Sequence, residues 1–170
     1  MAKRISLREF QQSLVERLTS ARRGEASRAL LGVQTGRELW LLELGDSGEV
    51  VPPPPLTPVP LTQPWFSGLA NVRGTLYSVV DFSAFLGGAP TVRAGENRLL
   101  LVGGRYGMNS AILVTRTLGL KNPDELEPRA APTDVRPWVG EEYSDTRGQP
   151  WKKLHVRSLL AQPQFLNVGV

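Results

Sequence analysis

PLTQPWFSGLANVRGTLYSVVDFSAFLG, residues 60–87, is the stretch from which the fold is read. Gly68 punctuates it, Leu69–Val72 read as a short strand, and Arg73-Gly74 form a two-residue turn from which Thr75–Phe82 run back antiparallel. Successive side chains of a strand face opposite sides, so Ala70 and Val72 point one way while Leu69, Asn71 and Arg73 point the other. Asn71 and Arg73 therefore share one surface beside a tight turn, where the pattern offers them no packing role. After Phe82 the segment SAFLGG reads as a single helical turn, stopped by Gly87 and Gly88, which tolerate the left-handed backbone that ends helices.

Upstream of this hairpin, Leu30–Gln34 and Glu38–Leu44 are two apolar runs joined through Thr35-Gly36-Arg37, a second hairpin. Trp40, Leu42 and Leu44 fall on one face and Leu39 and Leu41 on the other, the pattern of a strand buried on both sides. Gly45–Gly48 reads as a polar turn. Pro52–Pro55 cannot form a central strand, because proline has no amide hydrogen; with no basic residue beside it, the run is a rigid connector rather than an SH3-type ligand.

Downstream, Ala89–Asn97 is a polar loop, and Arg98–Val102 with Asn109–Thr115 make a further hairpin around Gly103-Gly104-Arg105-Tyr106-Gly107. That glycine cluster is not a phosphate cradle, since a dinucleotide fingerprint opens a helix and here strand follows strand. Leu118–Leu120 is one more short strand, Asn122–Leu126 a turn or short helix, Glu127–Arg136 an open loop, and Lys153–Val156 a strand followed by a closing helical turn at Ser158–Ala161.

The chain of 170 residues suits one domain of ordinary size with a real core. Glycine and proline total 31, high for a helical protein and below the level of low complexity, which favours many short strands joined by turns. There is no cysteine, so disulfides and thiolate metal sites are excluded. No run of some 18 apolar residues is present, and the N-terminus lacks the apolar core of a signal peptide; the expectation is a cytoplasmic protein.

Residues 1–29 stand apart as an arm before a domain spanning 30–170. Ser6-Leu7-Arg8-Glu9 is a capping box, with Ile5 and Phe10 as a hydrophobic staple, and Leu7, Phe10, Leu14, Val15 and Leu18 recur at helical spacing. The arm has seven basic and three acidic residues while the remainder has thirteen of each, so it holds the whole net charge of +4. Its basic residues neither gather on one face nor alternate with exposed aromatics, which favours a helix packing its stripe on the domain or a partner over a nucleic-acid or membrane surface.

Catalytic chemistry finds little support. His155 is the single histidine and sits on the polar side of its strand; no G-x-S-x-G elbow is present; and Asp124, Glu125 and Glu127, like Glu141 and Glu142, lie in loops where solvated charge is the ordinary explanation. Binding is the expected activity, with a small nucleic-acid-binding β-barrel or hydrolase as the alternative.

G-L-A-N-V-R-G followed by Y-S-V-V-D-F resembles the CheW-like adaptor domains that couple chemoreceptors to a histidine kinase, through Gly68, Asn71, Arg73, Gly74, Asp81 and Phe82. The flavour is nearer the PilI-like members attached to type IV pilus twitching motility than the flagellar adaptor. The resemblance implies a mainly β fold of two small, five-stranded SH3-like barrels, here preceded by an N-terminal helix. It implies a non-enzymatic scaffold in chemotaxis-type signal transduction, using no cofactor and no metal. The implied partners are the cytoplasmic tip of a methyl-accepting chemoreceptor and the regulatory domain of a CheA-type histidine kinase, with no nucleic acid and no membrane insertion. The residues expected to contact partners are Trp65, Phe66, Asn71, Arg73, Gly74 and Asp81, aromatics and arginine being the side chains that most often anchor interfaces. Where many members have a Val-x-Glu-Ile-like run toward the receptor, this chain has Gly45-Asp46-Ser47-Gly48, then Glu49-Val50. The strand that often ends Val-Asp-x-Val reads Val114-Thr115-Arg116-Thr117.

Overall fold

A computed structural model describes residue 8, residues 11–19 and residues 29–170. Residues 11–19 are helical and exposed throughout, with Leu14, Val15 and Leu18 between 48% and 61% accessible. Leu14, Val15 and Leu18 of the expected stripe thus lie on a helix and are exposed, while Leu7 and Phe10 fall outside the described residues. The capping box and staple at Ile5, Ser6, Glu9 and Phe10 lie outside the described residues.

From residue 29 the chain builds eleven strands in two sheets. The first sheet takes β1 (Leu30–Thr35), β2 (Glu38–Glu43), β8 (Arg116–Lys121), β9 (Glu127–Pro128), β10 (Val139–Ser144) and β11 (Pro150–Leu154), in the order β8-β1-β2-β11-β10-β9. The second takes β3 (Val50–Val51), β4 (Phe66–Val72), β5 (Thr75–Asp81), β6 (Arg98–Leu100) and β7 (Ser110–Val114), in the order β3-β6-β7-β5-β4. The second sheet is thus inserted between the opening hairpin of the first and its remaining strands. The mainly β architecture of two small units is the one expected, with the two-residue β9 as a sixth strand of the first.

Both sheets curl. Laid flat, β8 and β9 would lie about 24 Å apart across five strand spacings, yet the five residues joining them reach about 20 Å at full extension and spend part of that length on a 3-10 turn at Pro123–Glu125. In the second sheet the connector that leaves β3 returns to the free edge of β4, where Thr57 and Leu69 exchange both backbone hydrogen bonds at 2.8 Å. Gly68 makes that approach feasible: its φ is 117°, and a Cβ there would stand 2.2 Å from the Thr57 carbonyl oxygen.

Alternation explains the core. Trp40 and Leu42 of β2, Val80 of β5, Leu100 of β6 and Ile112 and Val114 of β7 face a central cluster shared by both sheets. Their neighbours turn the other way: Leu41 joins Leu30 and Trp151 behind the first sheet, while Val79, Leu99, Ala111 and Leu113 form a cluster behind the second. The reading of β2 as buried on both sides holds, with Trp40, Leu41 and Leu42 all at 0% exposure.

Helix α1 (Leu44–Ser47) replaces the polar turn expected after β2. Helix α2 (Phe82–Phe85) is the single turn expected after β5, and α3 (Val156–Leu160) and α4 (Pro163–Leu166) close the chain. Asp81 caps α2 by accepting from the Ala84 amide, and holds the following loop by accepting from the amide and hydroxyl of Thr91, each at 2.8 Å. The turn so fixed presents Phe82 to Trp40, at 5.4 Å between ring centroids, and Phe85 to Trp65, Trp138 and Phe165, at 5.1, 5.4 and 5.5 Å. These aromatics come from both sheets and both ends of the domain.

A second fastening lies on the first sheet. Glu38, Lys152, Asp134 and Arg136 alternate in sign around a closed ring, with contacts of 3.0 Å (Lys152–Glu38), 2.8 Å (Lys152–Asp134), 2.6 Å (Arg136–Asp134) and 2.9 Å (Arg136–Glu38). Arg136 and Lys152 both lie over the Trp40 ring. The loop expected over Glu127–Arg136 is thereby tied down, and part of it is β9. Glu142, assigned from sequence to a loop of solvated charge, is instead in β10 and 2% exposed. It is buried because its carboxylate accepts from the amides of Thr133 and Asp134, at 3.0 and 2.8 Å, which supplies the hydrogen bonds a buried charge requires. His155 is exposed, as expected.

Burial pushes the Asp134 carboxyl upward, but hydrogen bonds from Arg136 and Lys152 outweigh it and hold the group well below the usual carboxylate range. A carboxyl depressed on folding contributes stability above its unfolded value of about 3.9 and loses it as pH falls through the folded value. Asp134→Asn should therefore lower stability at pH 7 by about 2–3 kcal/mol, below the range for a fully buried pair because both cations keep some exposure. The gap to the parent protein should narrow below about pH 4 in thermal melts taken across pH. Removal of residues 1–29 should leave the domain folded, since the described arm residues pack on nothing; loss of the β-type circular dichroism spectrum would show that the arm belongs to the core.

Candidate partner-binding surface

The residues singled out in the sequence fall at the two ends of the β4–β5 hairpin. At its tip the backbone turns through Arg73 (φ 50°) and Gly74 (φ 86°), the left-handed pair that a two-residue hairpin with the right twist demands. Gly74 meets that demand without strain, and its amide donates to Asn71 Oδ1 at 2.9 Å, fixing the turn from within. Asn71, Arg73 and Gly74 are all exposed. The Arg73 guanidinium pairs with Glu49, the residue before β3. Strands β3 and β4 are the opposite edges of the second sheet, so this ion pair bridges the seam where the sheet closes. Asp81, the nearest acid in sequence on the returning strand, is not its mate.

At the other end lie Trp65, Phe66 and Asp81, since Phe66 is registered against Val80. Six residues of strand put this group about 20 Å from the tip. Trp65 and Phe66 are half-buried and pack on the central cluster, Trp65 edge-to-face on Phe85. Asp81 is 5% exposed with both oxygens accepting hydrogen bonds from within the domain. The six residues singled out in the sequence thus divide into an exposed polar tip and a packed base, and do not form one site.

Two further features adjoin them. An apolar groove of about 510 Å³ runs along the hairpin, lined by Phe66, Leu69, Leu76, Val80, Met108 and Phe165 among others. Beside it, Asp46 in α1 accepts from the Tyr106 hydroxyl at 2.7 Å and from Arg105 at 3.1 Å, joining α1 to the β6–β7 loop. Burial, reinforced by the bond to Asp46, pushes the Tyr106 phenol above its ordinary value. Sequence reasoning missed Glu49 and Asp46 as partners of Arg73 and Tyr106 because each pair is separated by 24 residues or more. The Glu-Val pair at 49–50 was the available signal, a lone acid leading into an edge strand.

Among the described residues no cluster of three or more histidine, aspartate or glutamate side chains could hold a metal ion, and no helix is long and apolar enough to cross a membrane. Residues 29–164, which hold both sheets and the Asn-x-Arg-Gly hairpin, match a family model, CheW-like domain. The chain belongs to the CheW-like domain family. It is 27% identical over 146 residues to Protein PilI of Pseudomonas aeruginosa, covering 82% of this chain and 79% of that protein. Its fold is shared with the crystal structure of the scaffolding protein TtCheW from Thermoanaerobacter tengcongensis, at a TM-score of 0.61 and 20% identity, over 75% of this chain and 88% of the other. The arm before residue 29 and the segment after residue 164 lie outside the family match.

The Arg73–Glu49 pair is solvent-exposed, its side chains 69% and 47% accessible. Arg73→Ala should therefore cost about 1 kcal/mol or less, visible as a small shift in melting temperature; a shift of many degrees would mean that the pair holds the barrel closed.

Proposed function

We propose that this CheW-like protein is a non-enzymatic adaptor that couples the cytoplasmic tip of a chemoreceptor to the regulatory domain of a CheA-type histidine kinase. We further propose that the pathway it serves, in the cytoplasm, controls type IV pilus twitching motility. The observation that carries the adaptor reading is the family match over residues 29–164, on a domain whose identifying hairpin ends in an exposed Asn71-Arg73-Gly74 tip. The similarity to PilI over most of both chains supports the twitching assignment.

On this reading the partner interface includes Asn71, Arg73 and Gly74 directly. Trp65 and Phe66 contribute through their exposed edges, and Asp81 acts by holding α2 and the following loop in place. Kinase-domain contact is favoured over receptor contact by the usual surface, because the segment before Glu49 is the one-turn helix α1 rather than a continued strand.

The test is a binding titration of the full chain against the regulatory domain of the kinase that copurifies with it. Arg73→Glu should weaken binding by about 2 kcal/mol or more, some thirtyfold, as truncation of a central interface arginine does, with little change in melting temperature. Unchanged affinity for Arg73→Glu would remove the tip from the interface, and a deletion strain with normal twitching would remove the pathway assignment.

A further inference from the structure

The connector between β3 and β4 has the makings of a polyproline II helix. Every residue from 51 to 60 except Leu56 is a proline or precedes one. Proline fixes its own φ at about −65° and holds the residue before it extended, and no helix or turn interrupts residues 52–59. Such a helix has three residues per turn, and exposure along the connector follows that period. Pro52, Pro55 and Pro58 are exposed, while Pro53, Leu56 and Val59 are half-buried. The third edge is mixed, Val51 and Pro54 being half-buried and Thr57 and Pro60 exposed. Leu61, 80% exposed with φ 58°, departs from polyproline geometry and ends the run.

We propose that the edge formed by Pro52, Pro55 and Pro58 is a docking ridge for a partner protein whose groove is lined by aromatic side chains and reads polyproline. This contact is additional to the adaptor reading and does not rest on it. Along one edge the prolines recur about every 9 Å, the repeat that aromatic-lined grooves read in proline-rich segments. The domain itself uses a different edge: Leu56 packs on the cluster behind the second sheet. Prolines on any edge would make the connector rigid, but only those turned outward at a spacing of one turn can be read by a groove.

Chemistry narrows the partner. Residues 50–72 contain no charged side chain. Recognition is therefore by aromatic rings and shape, as in a WW-type clamp, rather than by an acid-lined groove that needs a basic residue beside the prolines. A second copy of the chain is a poor occupant, because among the described residues no aromatic side chain is exposed.

The ridge is also held at its start, middle and end. Val51 pairs with Leu99, Thr57 exchanges both backbone hydrogen bonds with Leu69, and beyond the last proline the Val170 amide donates to the Leu61 carbonyl while the Gln63 amide donates to that of Val168. A free proline-rich peptide is already stiff, and this segment has less freedom still to lose on binding.

The probe is a fluorescently labelled WW domain, a module whose aromatic groove reads polyproline, titrated with the full chain and followed by anisotropy. Anisotropy should rise to saturation and fall again when a decaproline peptide is added, a result that needs no variant. The affinity should change less than about twofold between low and high salt, since the ridge holds no charge to be screened. Pro55→Ala with Pro58→Ala should weaken binding about tenfold, with a circular dichroism spectrum like that of the parent chain. Pro60→Ala, on the mixed edge, should leave binding unchanged. No rise with the parent chain, no displacement by decaproline, a steep salt dependence, or a loss in Pro60→Ala equal to that of the double variant would each overturn the proposal. The kinase-domain titration of Arg73→Glu uses another probe and a residue outside the ridge, so failure of the adaptor reading and failure of this one are told apart.

Discussion

One helical turn, Phe82–Phe85, carries the aromatic junction of the core that the two sheets share. It is short, and a four-residue helix has no stability of its own, since every helix leaves its first four amides without partners inside it. Asp81 supplies what is missing by accepting from Ala84 within the turn and from Thr91 beyond it. Because the turn is fixed, Phe82 and Phe85 leave it in set directions and meet Trp40, Trp65, Trp138 and Phe165. Truncating a buried phenylalanine costs about 3–5 kcal/mol, a large share of the stability of a domain this size. The chain order makes that junction more consequential. Strands β3–β7 are inserted between β2 and β8, so the first sheet is completed only after the second has brought the chain back.

Local chemistry is what the sequence makes legible. The Arg73-Gly74 turn, the alternation around it and the double burial of β2 are all set by neighbours within a few residues, and each stands in the structure as read. The misreadings share a different cause. Strand β10, VGEEYS, lacks an apolar alternation, and Glu142 looks like a surface charge until the amides of Thr133 and Asp134 fold onto it. The ring of Glu38, Asp134, Arg136 and Lys152 gathers residues up to 114 apart, so no window of sequence contains it. The acid nearest to Arg73 along the returning strand is Asp81, at its far end. Closure of the sheet brings the opposite edge, with Glu49, to the turn instead, and no strand pattern encodes that closure. The candidate residues could be named from the sequence, while their division into an exposed tip and a packed base needed the fold.

Charge separates the parts of the chain by what they can do. The domain after residue 29 has equal numbers of acidic and basic residues, many of the acids already engaged by cations within it. Long-range attraction to a polyanion has little to act on there, and a neutral surface of this kind selects partners by shape and by individual contacts. The arm keeps the net charge, which leaves its electrostatics independent of the domain's.

Energies at position 73 weigh what an arginine costs the fold against what it gains. The left-handed backbone at Arg73 (φ 50°) costs a side-chain-bearing residue roughly 1–2 kcal/mol, and glycine would adopt the same conformation without that penalty. In return the folded chain gains one exposed ion pair with Glu49, worth about 1 kcal/mol or less. The balance is level at best, so stability alone gives no reason for an arginine at this turn. A guanidinium held out on a rigid hairpin, with its direction set by Glu49 and its backbone by Asn71, is instead well prepared for contact with another protein. Little conformational freedom remains for it to lose on binding, and pre-organisation of that kind raises affinity without adding contacts.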